Sequence, residues 1–413
     1  MSQRTLVYTV FLLITILTSG KAVATDPAWK YDIDGNVAAT PVKFGDQILV
    51  AGGHTLTSLN MDGSESWTMQ LQGAILSTPG LGDGRIYIHT SAGLTALNGQ
   101  HEEIWHYPAE DLGALVDGRT WGWGNVIKGD PWAYYRSSPL VTDTAIVFGN
   151  SDGVHAVNPE TGERLWYRPT GPVTTDIVGV EDSVLAADWN NSLRRLALAD
   201  GSVEWTFEAL PPHGAYSSWI GWIGLNLTPV VADGHAFFGS RGTYFYAVNL
   251  ESGRESWSNK HGTSWIGSAA IIDETDVFFG LSDGKGVIGI ERASGNQSLF
   301  VPAPGPIFAT PVLSGDFLIA GTLMGEVLVI DLEQGRVVNT HKLHDSQKPY
   351  NSYFQPDPDS TLTPYEYTVQ QMDVMKKEQR SVLSMSVIGG LLIVGTGNGD
   401  VLAFELDALV GQP

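Results

Sequence analysis

A four-strand pattern that recurs eight times is the feature that most restricts how this chain folds. Each copy begins at a Ser or Thr, often followed by Pro, and contains two apolar strands, a Gly-rich turn and two further strands. Four short strands per copy are the content of one propeller blade. The sequence therefore predicts an all-β, eight-bladed β-propeller, with copies that begin at Thr40, Thr78, Ser138, Thr175, Thr228, Ser268, Thr310 and Ser384.

The last strand of a copy usually carries a Trp, at Trp29, Trp67, Trp105, Trp166, Trp205 and Trp257. Copies six and seven depart from this rule, with Leu299 or Phe300 and Val338 near that position. The eighth copy, residues 384–409, lacks this strand, whereas residues 27–32 (PAWKYD) supply one at the other end of the chain. We therefore expect the N-terminal strand to close the last blade, which removes an open sheet edge.

Residues 1–24 have the composition of a secretory signal peptide, so residues 25–413 form the expected propeller domain. Arg4 precedes a short apolar stretch, residues 6–17, and Ala22-Val23-Ala24 fits a cleavage site before Thr25. The apolar stretch is too short for a confident membrane span. We expect a periplasmic or secreted bacterial protein, which associates with a membrane only through a partner.

Charge and cysteine content exclude several classes of protein. The net charge is −22, and removing residues 1–24 removes Arg4 and Lys21 and no acid, giving about −24. Nucleic-acid binding needs a basic surface, so the sequence argues against it. The chain has no Cys, which excludes a disulfide framework, a thiolate nucleophile and a lipid-anchoring Cys.

Long inserts all fall between the last strand of one copy and the first strand of the next, at about residues 108–136, 209–226 and 341–382. Propeller topology places these connections on one face, together with the loops between second and third strands. Long loops on a rigid scaffold commonly carry function. The Trp residues outside the repeat position all lie in such loops, so we predict a ligand-binding surface formed by Trp121, Trp123, Trp132, Trp189, Trp219, Trp222 and Trp265.

Polar residues accompany these indoles close to the starts of first strands, where the central channel opens. If the protein is an enzyme, the candidate catalytic residues are His213, His261, Tyr135, Tyr216, Arg136 and Arg241. In the third insert, Thr363-Pro364-Tyr365-Glu366 has the form of a capping box with Pro at the first helical position. We expect a helix of about four turns there, either packed on the rim or acting as a lid or docking helix.

The copies AVNPETGERLW (156–166) and AVNLESGRESW (247–257) resemble the tryptophan-docking repeat of the quinoprotein (PQQ-like) propeller superfamily. The resemblance covers about residues 27–409. In layout the chain is most similar to the BamB-like scaffold group of outer-membrane assembly, although it lacks that group's lipid-anchoring Cys. The resemblance implies the fold but not the function, since the superfamily includes quinone-dependent dehydrogenases, hydrolases and binding proteins as well as scaffolds.

Three functions remain open from the residues. The favoured one is a non-catalytic scaffold that binds a protein or extended polypeptide, or a carbohydrate, and is itself a monomer without a cofactor. A polysaccharide- or small-anion-processing lyase or hydrolase would use the His, Tyr and Arg candidates. A PQQ-dependent dehydrogenase would need a calcium ion, for which Asp188 and Asn190 are available. No spaced metal motif is present, since His341 and His344 stand alone, and we predict no metal site.

Overall fold

The computed structural model describes residues 26–117, 127–132, 135–210, 224–355 and 357–411. The predicted signal peptide lies outside these residues. Every predicted blade is a four-stranded antiparallel sheet, which confirms the eight-bladed propeller. Strands adjacent in sequence pair in each blade, except where β1 joins blade eight. Among the described residues, no helix is both long and apolar enough to cross a membrane.

The strands of blades one to four follow in chain order after the N-terminal strand β1 (Trp29–Asp32), and a small hairpin separates blades two and three. They are β2 (Val42–Phe44), β3 (Gln47–Gly52), β4 (Thr55–Asn60) and β5 (Glu65–Gln70) in blade one; β6 (Gly80–Gly82), β7 (Arg85–Thr90), β8 (Gly93–Leu97) and β9 (Glu103–Pro108) in blade two; the hairpin β10 (Leu115–Asp117) and β11 (Ile127–Gly129); β12 (Leu140–Val141), β13 (Ile146–Asn150), β14 (Gly153–Val157) and β15 (Arg164–Pro169) in blade three; and β16 (Val178–Val180), β17 (Ser183–Ala187), β18 (Ser192–Ala197) and β19 (Val203–Glu208) in blade four.

The second half of the ring repeats this order. Its strands are β20 (Val230–Ala232), β21 (His235–Gly239), β22 (Tyr244–Asn249) and β23 (Glu255–Lys260) in blade five; β24 (Ile271–Ile272), β25 (Asp276–Gly280), β26 (Gly286–Glu291) and β27 (Gln297–Pro302) in blade six; β28 (Val312–Ser314), β29 (Phe317–Gly321), β30 (Glu326–Asp331) and β31 (Arg336–Lys342) in blade seven; and β32 (Val382–Ile388), β33 (Leu391–Thr396) and β34 (Asp400–Glu405) in blade eight.

The ring closes through the N-terminal strand, as predicted. Strand β1 pairs antiparallel with β34, with Trp29 opposite Ala403, and so becomes the fourth strand of blade eight. The ammonium group of Lys30 lies 3.0 Å from Asp400. The outer edge of β34 is therefore paired rather than open to another chain.

The repeated Trp fastens its blade to the next one at five of the blade interfaces. Its indole N–H donates to a turn carbonyl of the following blade, at Met61, Pro159, Leu198, Leu250 and Arg292, over 2.8 to 3.0 Å. A Gly of the same turn lies against the indole ring. Gly162 has a φ of +71°, and a Cβ built there would lie 2.7 Å from Trp105. The Thr-Gly of the repeat is thus explained by a left-handed turn that must also admit an indole.

At two other blade interfaces, different residues form the contact between neighbouring blades. In blade two the turn places His101 at a φ of 65°, and its ring stacks on Trp67 at 3.9 Å between centroids. In blade seven Asn339 lies opposite Val329, the position that Trp occupies elsewhere, and its amide donates to Leu409 at 3.0 Å. Leu299 takes the equivalent place in blade six, opposite Gly289.

The third insert contains the predicted helix, at Pro364–Glu378. Thr363 accepts from the backbone N–H of Glu366, and the Glu366 side chain accepts from the backbone N–H of Thr363, so the capping box is complete. Met372 and Met375 are buried in one apolar cluster with Leu323 and Leu383 of blades seven and eight. The helix is therefore packed on the rim. A second, short helix at Leu406–Val410 follows blade eight and was not predicted.

Candidate functional site

Just before the first strand of each blade, two consecutive residues take different positions, one outer and one facing the channel. The sequence repeat alone does not show which residue takes which position. The outer position ties first and second strands of one blade together: Ser77 and Thr175 donate to the carbonyls of His89 and Ala187, and Ser268 accepts from the N–H of Gly280. The inner position faces the channel. Thr175 and Ser268 thus stand one residue before their channel position, whereas Thr40, Thr78, Ser138, Thr228 and Thr310 occupy it. Ser384 lines the channel cavity together with Met385.

The inner position forms a belt of hydrogen bonds around part of the channel. Each backbone N–H donates to the side chain of the next blade, from Thr40 to Thr78 (3.0 Å), Thr78 to Ser138 (2.9 Å), Ser138 to Asp176 (2.7 Å) and Asp176 to Thr228 (2.9 Å). The belt runs through five consecutive blades in one direction. Asp176 is the acidic member of a series that is otherwise made of hydroxyl groups.

Tyr135 points into this belt and contacts Asp176. Its hydroxyl donates to the Asp176 carboxylate at 2.9 Å and lies 2.5 Å from the hydroxyl of Ser138. Burial, followed by the charge of Asp176, raises the pKa of Tyr135 strongly, and burial likewise raises the pKa of Asp176. Tyr135 is therefore a neutral hydrogen-bond donor at neutral pH rather than a base.

The first insert crosses the mouth of the channel. After the hairpin β10–β11, the carboxylate of Asp130 lies 2.8 Å from the guanidinium of Arg241, on the second-to-third strand loop of blade five. Both side chains are almost completely buried. Burial raises the pKa of Asp130, and the charge of Arg241 opposes this effect. The insert that leaves blade two is therefore attached to blade five, which is not its neighbour in the ring.

Trp189 and Trp265 flank the same guanidinium. The Arg241 carbon Cζ lies 5.2 Å from the Trp189 ring centroid and 4.4 Å from that of Trp265, within the range of cation–π interaction. Each indole is only 5% exposed. We expected exposed aromatic residues here, but in the structure these two hold Arg241, and their binding of a ligand stays a prediction.

Trp132 lies where the first and third inserts meet. Its ring is 6.3 Å from Trp265 and 6.4 Å from Phe354 between centroids, and it lines the channel cavity. Beside it, the ammonium of Lys128 lies 5.0 Å from the ring centroid of Tyr365 on the long helix. The two inserts thus form one layer over the channel.

Arg136 and His261 lie apart from this group. Arg136 approaches Asp111 of the first insert at 3.4 Å, and Asp111 lies 3.8 Å from the buried His89. His261 lines a separate cavity of about 490 Å³ with Asp283 and Phe300. Burial lowers the pKa of His261 to about 4, so this imidazole is neutral at neutral pH.

The candidate catalytic residues are therefore distributed over several environments. Tyr135 is in the channel, Arg241 is in the buried ion pair, Arg136 anchors the first insert, and His261 faces another cavity. The remaining candidates lie outside the described residues, namely His213, Tyr216, Trp121, Trp123, Trp219 and Trp222. Sequence reasoning missed Asp176 and Asp130. Asp176 could have been found as the residue after Thr175, in the place of the hydroxyl residue that precedes Pro in other blades.

The residues suggested for a quinone with calcium do not fit that group. The Asp188 carboxylate contacts the guanidinium of Arg194 and accepts from the backbone N–H groups of Asn190 (2.9 Å) and Ser192 (3.2 Å). Its acceptor positions are thus used within a buried loop. In the described ranges, no group of three or more His, Asp or Glu side chains is placed to hold a metal ion.

Comparison with known proteins supports the same fold and identifies the family. A likeness in structure at low identity shows the fold alone: the crystal structure of BamB from Moraxella catarrhalis has a TM-score of 0.67 at 14% identity and covers 93% of this chain and 100% of that one. A europium-containing methanol dehydrogenase has a TM-score of 0.60 at 12% identity, covering 92% of this chain and 88% of the enzyme.

Sequence likeness is more specific. A relative from Yersinia pestis, named outer membrane protein assembly factor BamB, is 28% identical over an alignment of 252 positions that covers 51% of this chain. The chain spans 60% of the length of that relative. The profile of the family described as outer membrane protein assembly factor BamB matches residues 17–120, 117–218 and 190–408. These matches extend over most of the propeller, and the chain belongs to this BamB family.

Proposed function

We propose that the chain is an exported, non-catalytic scaffold that binds a polypeptide partner on its insert-bearing face during outer-membrane protein assembly. Family membership supports the biological setting, because the matching relatives are named as assembly factors. The observation that carries the proposal is the separation of the candidate catalytic groups: Arg241 and Arg136 are engaged in ion pairs that fasten the first insert.

The insert-bearing face also offers apolar contact area. Leu112 and Leu115 of the first insert are 56% and 40% exposed, and Leu210 and Leu362 of the other inserts are 41% and 40% exposed. Exposed leucines on this face are suited to a partner that covers them. Trp219 and Trp222, which the sequence predicts to bind a ligand, belong to the second insert and lie outside the described residues.

Site-specific photo-cross-linking in the native periplasm tests the proposal. A photoreactive phenylalanine at Leu112, Leu210 or Leu362 is expected to capture a component of the outer-membrane assembly machinery, identified by mass spectrometry. Leu165, 48% exposed on the outer strand of blade three, is the matched control. The Trp219→Ala/Trp222→Ala variant should reduce the capture. Equal capture from Leu165, or capture of no assembly component, would contradict the proposal.

The lyase or hydrolase alternative requires a base and a cationic side chain in one cavity. Among the described candidates, His261 and Tyr135 line different cavities. We therefore infer no carbohydrate chemistry from these residues.

A further inference from the structure

The central channel contains a cavity that the scaffold function does not use. It has a volume of about 260 Å³ and extends from Trp132 at the mouth to Asp176 and Thr228 of the belt. A second cavity of about 440 Å³ shares Thr40, Tyr135 and Asp176 with it and continues along the first strands of blades two to four. Both are large enough for a small organic molecule.

Asp176 is the group that can carry charge in these cavities: burial raises its pKa, and an adjacent cation favours its ionised form. Among the described residues that line them, Asp176 is the only carboxylic acid. No His, Lys or Arg among the described residues lines either cavity. The carboxylate accepts from Tyr135 and from the N–H of Ser138 through one oxygen, Oδ1. The hydroxyls of Ser138 and Thr228 also interact with the carboxylate, and a bound ammonium would replace part of this hydroxyl contact with charge-assisted hydrogen bonds.

A second acceptor in the same cavity has no donor among the described residues. The Oδ1 atom of Asn226, which lines the cavity, is buried and accepts no hydrogen bond from the described residues. A buried acceptor without a donor is destabilising, and a ligand N–H would satisfy it. The wall also carries apolar and aromatic side chains, including Leu227, Phe308 and Leu383.

We propose that the channel binds a small primary alkylammonium ion, with its N–H groups on Asp176 and Asn226 and its alkyl chain against the apolar wall. A carboxylate and an amide oxygen match the donors of an ammonium group. The negative charge of the whole chain, −22, concentrates cations near the protein and favours entry. The inner belt position explains how the site arises, since blade four has Asp176 where neighbouring blades have Ser or Thr.

The test uses n-butylammonium chloride as the probe in isothermal titration calorimetry, at physiological ionic strength, with 1-butanol as the neutral control of similar size. We expect saturable binding of the ammonium and none of the alcohol over the same concentrations. Tetramethylammonium, a cation without N–H donors, should bind at least about fivefold more weakly, and equal binding would overturn the assignment of hydrogen bonds.

Variants then locate the site. Asp176→Thr installs the hydroxyl residue of the neighbouring blades and should keep the belt, while Asp176→Asn keeps an acceptor for Ser138. Both should weaken binding at least about tenfold. Glu251→Gln removes one exposed charge elsewhere and should leave binding unchanged. The proposal is overturned if the wild type shows no saturable binding, or if a folded Asp176 variant binds as well as the wild type.

Discussion

The guanidinium of Arg241 and the carboxylate of Asp130, 2.8 Å apart, join blade five to an insert that begins between blades two and three. The indole rings of Trp189 and Trp265 both lie against this guanidinium. An ion pair of this kind is held in place by its neighbours, because neither charge can reach water.

Removing one charge of this pair should be costly. We expect Arg241→Ala to lower the free energy of unfolding by about 3–5 kcal/mol, since it leaves Asp130 buried without its cation. The double variant Arg241→Met/Asp130→Asn should recover part of this loss. Urea unfolding followed by tryptophan fluorescence measures both. Arg85→Ala, which breaks an exposed pair with Glu160, is the control and should change stability little. Similar losses in the two single variants would argue against the buried pair as an anchor.

The turn glycines that face an indole should tolerate substitution less well than other left-handed glycines. Gly234 has a φ of +70° with nothing within 4 Å of a built Cβ, whereas the Cβ at Gly162 would meet Trp105 at 2.7 Å. Gly234→Ala should cost about 1 kcal/mol from backbone strain. Gly162→Ala should cost roughly 1–3 kcal/mol more, because the blades must separate to admit the methyl group. Equal midpoints in urea for the two variants would disprove this account of the repeat.

His261 should make stability depend on pH. Its pKa in the folded protein, about 4, lies below its value of about 6.5 in the unfolded chain, so the unfolded chain binds more protons between these values. Stability from this group is complete above pH 6.5 and is lost as the pH falls towards 4, by about 2–3 kcal/mol.

The comparison of the wild type with His261→Gln isolates this contribution. Asp283, whose pKa is raised by burial, lines the same cavity and is present in both proteins. The difference in unfolding free energy between the two should narrow or reverse in favour of the variant as the pH falls from 7 to 4. A constant difference over that range would show that His261 is not buried as a neutral group.

Ring closure predicts a difference between two Trp residues at the same repeat position. Trp29→Ala weakens the strand that covers β34, whereas Trp67→Ala weakens a contact within the ring. Each should lose about 3 kcal/mol. Only Trp29→Ala should also aggregate at mild temperature, because it frees a strand edge, and light scattering distinguishes the two. Equal scattering from both variants would mean that closure does not protect this edge.

The blade count, the closing strand and the capped helix could be predicted from sequence because each is encoded locally. Thr363, Pro364 and Glu366 are neighbours in the chain, and the Trp repeat is read by simple spacing. The two ring positions were not separated from the sequence, since Thr175 and Asp176 are adjacent and both are polar. Alignment on the residue that precedes Pro in other blades would have pointed to Asp176, and the backbone donors of the ring show that it takes the place of a hydroxyl residue.

The candidate site was harder to predict because its contacts join distant parts of the chain. Sequence placed Arg241, Trp189 and Trp265 on the insert-bearing face but did not identify Asp130 as their partner. A Trp in a loop is predicted to be exposed when the residue that covers it is unknown. Here that residue is Arg241, which belongs to another loop. Such residues become buried only when the loops of this face come together in the folded protein.

The attachment of the first insert across the channel has a consequence for how the ring unfolds. In repeat proteins each unit contacts its immediate neighbours, and stability propagates along the series one interface at a time. The link from Asp130 to Arg241 connects units that are not neighbours. Loss of a single blade interface therefore leaves the two arcs of the ring tethered, and local opening should reverse before it spreads.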